Sequence, residues 1–230
     1  SVDGPGVRFI IFVQGCPLRC QFCHNPDTWN MTDKNGATWR SADELLAQAL
    51  RYRTYWKNGG GITVSGGEPL LQIDFLLDLF KKAKAKGIHT TIDTAGGPFT
   101  REEPFFSKFQ ELMQYTDLVD IKHIDEKSHK ELTGKTNKNI LDMICFLSDI
   151  KKPVWIRHVL VPERSDYDEY LNRLNDFIQT LDNVERVEIL PYHTLGAYKW
   201  KELGLDYPLE GINPPSRERV ENAKKILHCS

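Results

Sequence analysis

Six times along this 230-residue chain, a short run of β-branched and other apolar residues leads into a polar turn and then into a helical pattern. A helical crossover returns the chain to the same end of a sheet, so the alternation predicts strands that lie parallel. The strand runs occupy residues 7–13, 62–65, 88–93, 117–122, 154–161 and 184–190. Ser41-Ala-Asp-Glu44 fits a capping box opening the first helix. Residues 73–86 form a second, stopped by Gly87, and a third follows Arg101. Two helical stretches are expected behind residue 122, the second at 137–149, with the last two helices at 167–181 and 216–228. The series predicts an α/β fold whose parallel sheet is either open or partly closed into a barrel. Nothing with linker composition divides residues 1–230, so one domain is expected.

The polar signatures gather at one end of these units. Cys16 to Cys23, Gly66-Gly-Glu68, Asp93-Thr94, Asp120 with Lys122, and His193 all stand at or just past the C-terminal end of a strand run. In open α/β sheets and barrels that end binds ligands.

Residues 15–25 read Gly-Cys-Pro-Leu-Arg-Cys-Gln-Phe-Cys-His-Asn and place three of the five cysteines on one loop. Pro17 and Pro26 discourage helix or strand through it. Three thiolates can converge on one centre, whereas an iron–sulfur cube has four iron corners. One iron would then lack a cysteine and stand open to a small-molecule ligand. The alternative is a Cys3His zinc site with His24 as fourth ligand. Zinc-ribbon spacings draw ligand pairs from separate segments, which puts the cluster ahead of zinc. An odd cysteine count and a chain of this length argue against a disulfide framework. Cys145, amid Ile144, Phe146 and Leu147, reads as a core thiol, and Cys229 has no ligand spacing to anything.

Taken singly, the other polar residues have structural readings too. Gly66 and Gly67 allow close approach of a ligand and Glu68 can accept hydrogen bonds from an ammonium group, or the three form a solvated turn. Asp93 and Asp120 either face a ligand or cap the helices that follow. Lys122 shares a side of its strand with Asp120, as an ion pair or as a clamp for ribose and carboxylate. His193 alone reads as structural. Lys81, Lys82, Lys84 and Lys86 are expected on the wet face of a helix. Residues 28–40 and 195–215 are candidate docking elements, with a surface loop the simpler reading of each.

A net charge of -2 and a pI near 6.4 give no electrostatic reason to expect nucleic acid as a partner. No apolar run is long enough to span a bilayer and the first residues do not resemble a signal peptide, so cytoplasmic residence without a membrane partner is the expectation. Ser1 runs almost at once into Asp3-Gly-Pro-Gly6, which suggests that residues are missing upstream.

Asp3-Gly-Pro-Gly-Val-Arg-Phe9, then Phe12, then the Cys-x-x-x-Cys-x-x-Cys-His-Asn array, resembles the signature of the radical S-adenosylmethionine enzymes that activate glycyl radical enzymes. Gly-Gly-Glu, Asp-Thr-x-Gly, Asp-x-Lys, Trp155-Ile-Arg157 and Leu-Pro-Tyr-His follow in that family's order. The resemblance implies a partial (β/α)6 barrel of the radical S-adenosylmethionine type. It implies that Cys16, Cys20 and Cys23 hold a [4Fe-4S] cluster whose open iron chelates the amino and carboxylate groups of S-adenosylmethionine. Phe22 would pack near the adenine, and His24 would adjoin cluster or cofactor. Gly66, Gly67 and Glu68 would receive the methionyl amine. Asp93, Asp120, Lys122 and His193 would surround the rest of the cosubstrate, with Arg157 pointing into the site. Asp93, Thr94 and Asp120 could also bind a monovalent cation.

The implied reaction is reductive cleavage of S-adenosylmethionine and removal of a Cα hydrogen from a glycine of a partner protein. Pyruvate formate-lyase is the expected partner, because residues 31–40 lack the cysteine-rich insertion of other activases. Flavodoxin or ferredoxin would be the electron donor, and a monomer is expected. Another glycyl radical enzyme as target, or a non-catalytic zinc or electron-transfer protein, are the competing readings.

Overall fold

The structure, a computed structural model, describes residues 3–32, 36–57, 59–122 and 133–230. Its six strands are β1 (Arg8–Val13), β2 (Gly61–Gly66), β3 (His89–Thr94), β4 (Leu118–Lys122), β5 (Val154–Leu160) and β6 (Val184–Pro191). They lie in sequence order in one sheet, and every neighbouring pair is parallel. The helices are α1 (Ala42–Leu50), α2 (Ile73–Ala85), α3 (Phe105–Gln114), α4 (Lys138–Asp149), α5 (Asp168–Gln179), α6 (Ala197–Glu202) and α7 (Arg217–Ile226). Of the two helical stretches expected behind β4, the first falls largely outside the described residues.

Alternation along the strands gives the sheet two unlike faces. Ile11 and Val13, Ile62 and Val64, Ile92, Val119 and Ile121, Val154 and Ile156, and Ile189 enter the main apolar core with the helices. Many of their alternates on β2 to β6 are polar: Thr63 and Ser65, Thr91 and Asp93, Asp120, Arg157 and Glu188. The N-terminal segment lies against that second face. The Asp3 carbonyl accepts from Thr63 Oγ1 of β2 at 2.7 Å, and its carboxylate lies 3.9 Å from Arg157 of β5. Strands three places apart thus border one space, the lumen of a partial barrel.

The helices form where the pattern places them. The Ser41 side chain accepts from Glu44 N–H while the Glu44 carboxylate accepts from Ser41 N–H, so the capping box of α1 closes. In α2, Leu76, Leu79, Phe80 and Ala83 repeat at helical spacing and are fully buried, each large side chain contributing about 1.5–3 kcal/mol. On its outer face Lys81 pairs with Glu111, Lys82 with Asp43 and Asp78, and Lys84 with Asp117, which accounts for the lysine run as a solvated, ion-paired surface.

Two expectations are corrected. Cys145 is exposed, because Ile144, Phe146 and Leu147 take the buried arc of α4 and leave position 145 pointing outward. Residues 195–215 are not a plain surface loop. They contain α6, and Trp200 and Leu209 are buried against the cysteine loop and its surroundings.

Candidate radical and cofactor site

β1 delivers the chain to Gly15, whose φ of +101° lets it turn sharply into the cysteine loop. The turn is fastened from both sides. Gly15 N–H donates to Thr28 O at 2.7 Å, Gly67 N–H to Val13 O at 2.9 Å, and Glu68 N–H to Gly15 O at 2.8 Å. A Cβ on Gly66 would overlap the Val13 backbone, and one on Gly67 the Gly15 carbonyl. In this structure the two glycines admit the backbone of the cysteine loop itself.

Cys16, Cys20 and Cys23 are free thiols, Cys20 buried and the others half-buried. Leu18, Phe22, Val161, Tyr192 and Leu209 surround them in a small apolar cluster of their own. Burial pushes the Cys16 thiol up to about 12, assisted by the charges of Glu68 and Cys23 and opposed by a hydrogen bond from the Leu18 backbone. Burial also raises Cys20, and the other two cysteines add to it. Cys23 is raised by burial, with the neighbouring Asn25 backbone and Trp29 side chain working against the rise. Three thiols whose ionisation is opposed by burial, and for Cys16 and Cys20 by a neighbouring cysteine as well, fit a centre of positive charge, which works against those effects.

Single-ion coordination fits less well. Among the described residues, no three Cys, His, Asp or Glu side chains gather as one metal ion requires. Thiolates on a cube bond different irons and stand further apart. His24, weighed above as a fourth zinc ligand, is exposed, and its ring packs against that of His193 with centroids 4.1 Å apart. Gly196 makes room for it, since a Cβ there would lie 2.8 Å from the His24 Cα.

Glu68 is 1% exposed, and three donors hold its carboxylate. Leu70 N–H reaches Oε1 at 3.0 Å, Thr94 Oγ1 reaches the same oxygen at 2.5 Å, and Ala95 N–H reaches Oε2 at 3.1 Å. Burial nonetheless raises its pKa to about 7, the hydrogen bonds working against the rise and nearby Asp93 with it. Asp93 accepts from Ser65 Oγ at 2.5 Å and is the register partner of Asp120 on the next strand. Asp120 is fully buried with Arg157 Nη2 at 3.0 Å, and Arg157 Nε lies 3.2 Å from Glu188. Arg157 therefore neutralises carboxylates contributed by β4 and β6. Lys122 stands opposite it in register, its side chain outside the described part. The Nδ1 atom of His193 is buried with no hydrogen-bond partner among the described residues, a nitrogen that a bound ligand can satisfy.

The layout brings the cysteine loop, Glu68, Thr94, Asp93, Asp120, Arg157 and His193 to one end and one lumen of the sheet. Sequence reasoning missed what lies behind the loop. Trp200 Nε1 donates to the Cys23 carbonyl at 2.9 Å, Lys199 Nζ to Asn25 Oδ1 at 2.9 Å, and the Tyr192 and Tyr207 hydroxyls meet at 2.5 Å. The available signal was the aromatic density of residues 192–207, for which the sequence offered no partner.

A parallel βα sheet carrying three cysteines on the loop after its first strand defines a class, and the family described as the Radical SAM superfamily matches residues 10–177. The chain belongs to that superfamily. Within it, the chain is 56% identical over 230 residues to the pyruvate formate-lyase-activating enzyme of Streptococcus mutans, covering 99% of this chain and 87% of that one. It is 54% identical to the enzyme of the same name from Listeria monocytogenes, covering 100% of this chain and 93% of the other. A solved domain of pyruvate-formate lyase-activating enzyme from Bacteroides vulgatus superposes with a TM-score of 0.59 at 26% identity, over 74% of this chain and 94% of its own. Streptococcus suis SuiB bound to precursor peptide SuiA gives a TM-score of 0.66 at 18% identity, over 84% of this chain and 41% of SuiB, a likeness of fold.

Proposed function

We propose that this chain activates pyruvate formate-lyase by reductive cleavage of S-adenosylmethionine at a [4Fe-4S] cluster, removing a Cα hydrogen from one glycine of that partner. Identity of 50–56% over nearly the full chain to relatives bearing that activity in their names carries the reading. When bound, the cluster and S-adenosylmethionine supply one-electron reduction of a sulfonium and homolytic cleavage of its carbon–sulfur bond. This chain's residues position them. Cys16, Cys20 and Cys23 would hold the cluster, and the apolar wall of Leu18, Phe22, Val161 and Tyr192 would keep water from the reacting atoms. Glu68, fixed by three donors and with a lone pair to spare on Oε2, accepts from the methionyl ammonium beside Gly66 and Gly67. Thr94 fixes Glu68, while Phe22, His24 and His193 border the adenosyl portion.

Asp93, Asp120, Lys122 and Arg157 line the lumen. The carboxylates there, those of Asp3, Asp93, Asp120 and Glu188, outnumber the one guanidinium of Arg157 and suit a monovalent cation near Asp93, Thr94 and Asp120 as a further positive charge beside it. Flavodoxin or ferredoxin serves as the reductant, and the protein acts as a monomeric, single-domain cytoplasmic enzyme. Anaerobic incubation with pyruvate formate-lyase, S-adenosylmethionine and a one-electron reductant tests the proposal. A glycyl radical seen by electron paramagnetic resonance on that partner is the expected result. Radical on a different glycyl radical enzyme alone would reassign the target, and no cleavage of S-adenosylmethionine by iron-loaded protein would overturn the reading.

A further inference from the structure

β5 and β6 do not pair in one unbroken register. Val154 stands opposite Val184 and Trp155 opposite Arg186, so Glu185 has no counterpart and the phase of β6 shifts by one residue. In an unbroken register Arg157 would stand opposite Val187. With the extra residue Arg157 meets Glu188, and Arg186 and Glu188 alternate onto the polar face of the sheet. Bulges of this kind re-aim side chains beside functional sites. Here the result is a linked group. Glu188 Oε2 lies 3.2 Å from Arg157 Nε, while Oε1 pairs with Arg186, a half-exposed residue on the outer side. The Trp155 ring lies beside both arginines, with the Arg157 guanidinium 5.7 Å and the Arg186 guanidinium 5.0 Å from its centroid. Arg157 is 1% exposed, with Nη2 3.0 Å from Asp120 and Nη1 3.9 Å from Asp3. Its three nitrogens therefore face three carboxylates, from β6, β4 and the N-terminal segment.

We propose that Glu188 is a positioning residue for S-adenosylmethionine binding: anchored to Arg186 by one carboxylate oxygen, it holds Arg157 with the other and so fixes how Asp120 is presented to the lumen. The inference rests on the reading above that Asp120 and Arg157 border the cosubstrate. Glu188 acts through Arg157. A guanidinium released from Glu188 can turn to grip Asp120 with two nitrogens, which draws that carboxylate away from a ligand. The bulge at Glu185 is the backbone device behind this arrangement, because it sets the phase that puts Glu188 opposite Arg157.

The test is anaerobic isothermal titration of S-adenosylmethionine into the oxidised, iron-loaded holoenzyme, where binding is read without cleavage. Glu188→Gln keeps the size of the side chain and loses its charge, and should weaken binding about fivefold, with more than half of the loss recovered in Glu188→Asp. In an Arg157→Lys background Glu188→Gln should weaken binding no further, because the group it acts through is gone. A side chain that only supports the fold would lower affinity by the same factor in both backgrounds. Affinity unmoved by Glu188→Gln, lowered equally in the two backgrounds, or not recovered by Glu188→Asp overturns the proposal and leaves the cluster reading standing. Iron-loaded wild type that binds no S-adenosylmethionine overturns both. Should Glu188→Gln fail to retain a cluster, Arg186→Gln removes the outer anchor alone. That variant should bind about twofold to threefold more weakly, and wild-type affinity in it overturns the proposal.

Discussion

Glu68→Gln separates two effects that the structure superimposes on one carboxylate. Burial raises the Glu68 pKa from 4.5 to about 7. A group whose folded pKa lies above its unfolded value contributes stability that is fully present below the unfolded pKa and lost as pH rises through the folded one. The window therefore runs from about pH 4.5 to pH 7, and a shift of this size corresponds to about 3 kcal/mol across it. Glutamine keeps an oxygen for Leu70 N–H and Thr94 Oγ1 but turns an amide group toward Ala95 N–H, which Glu68 Oε2 now accepts at 3.1 Å. That mismatch costs about 1–2 kcal/mol at every pH. Urea unfolding of the cluster-free protein, followed by tryptophan fluorescence under reducing anaerobic conditions, should show the variant less stable at pH 5 and level with or above wild type at pH 8. Groups common to both proteins cancel in the difference. Parallel stability curves for the two proteins between pH 5 and 8 would refute the argument that burial governs this carboxylate.

Other substitutions probe the remaining parts. Cys20→Ala should abolish both iron–sulfur content and cleavage of S-adenosylmethionine, and cleavage retained in that variant would end the three-cysteine assignment. Gly67→Ala forces a Cβ into the Gly15 carbonyl and should cost about 1–3 kcal/mol in urea unfolding, with slower cluster assembly because the loop must shift. Arg157→Ala strands the buried Asp120 and should cost about 3–5 kcal/mol by the same measurement. Cys145→Ser, on the exposed arc of α4, should change neither iron content nor stability by more than about 0.5 kcal/mol.

The strand–loop–helix order was legible because each strand pattern is short, β-branched and closed by a polar turn, and the observed strands begin and end within a residue or two of the expected ones. The end of the sheet at which the polar groups meet was legible for the same reason. Contacts that depend on phase or on distant partners were not. Cys145 sits among apolar neighbours in sequence, and only the helical phase of α4 turns it outward. Trp200 and Cys23 are 177 residues apart, so nothing local marks an indole as the partner of a loop carbonyl. Gly66 and Gly67 signalled the close approach of a ligand, and the approach observed is to the protein's own backbone. Arg157 was expected to point into the site, with no partner named for its charge. Its three acidic neighbours come from the N-terminal segment, β4 and β6.

The order of the sheet has a mechanical consequence. It begins at β1 and ends at β6, and those two margins are the free sides of the partial barrel. The cysteine loop grows from the first margin, while His193, α6 and Trp200 follow directly from the second. The bond from Trp200 to Cys23, with that from Lys199 to Asn25, works as a hasp across the seam. Any force that parts the margins is borne first by the loop that carries the thiols, so prying the seam and shifting the redox centre are one motion. Amide hydrogen exchange should report that coupling as protection gained or lost together in β1 and β6.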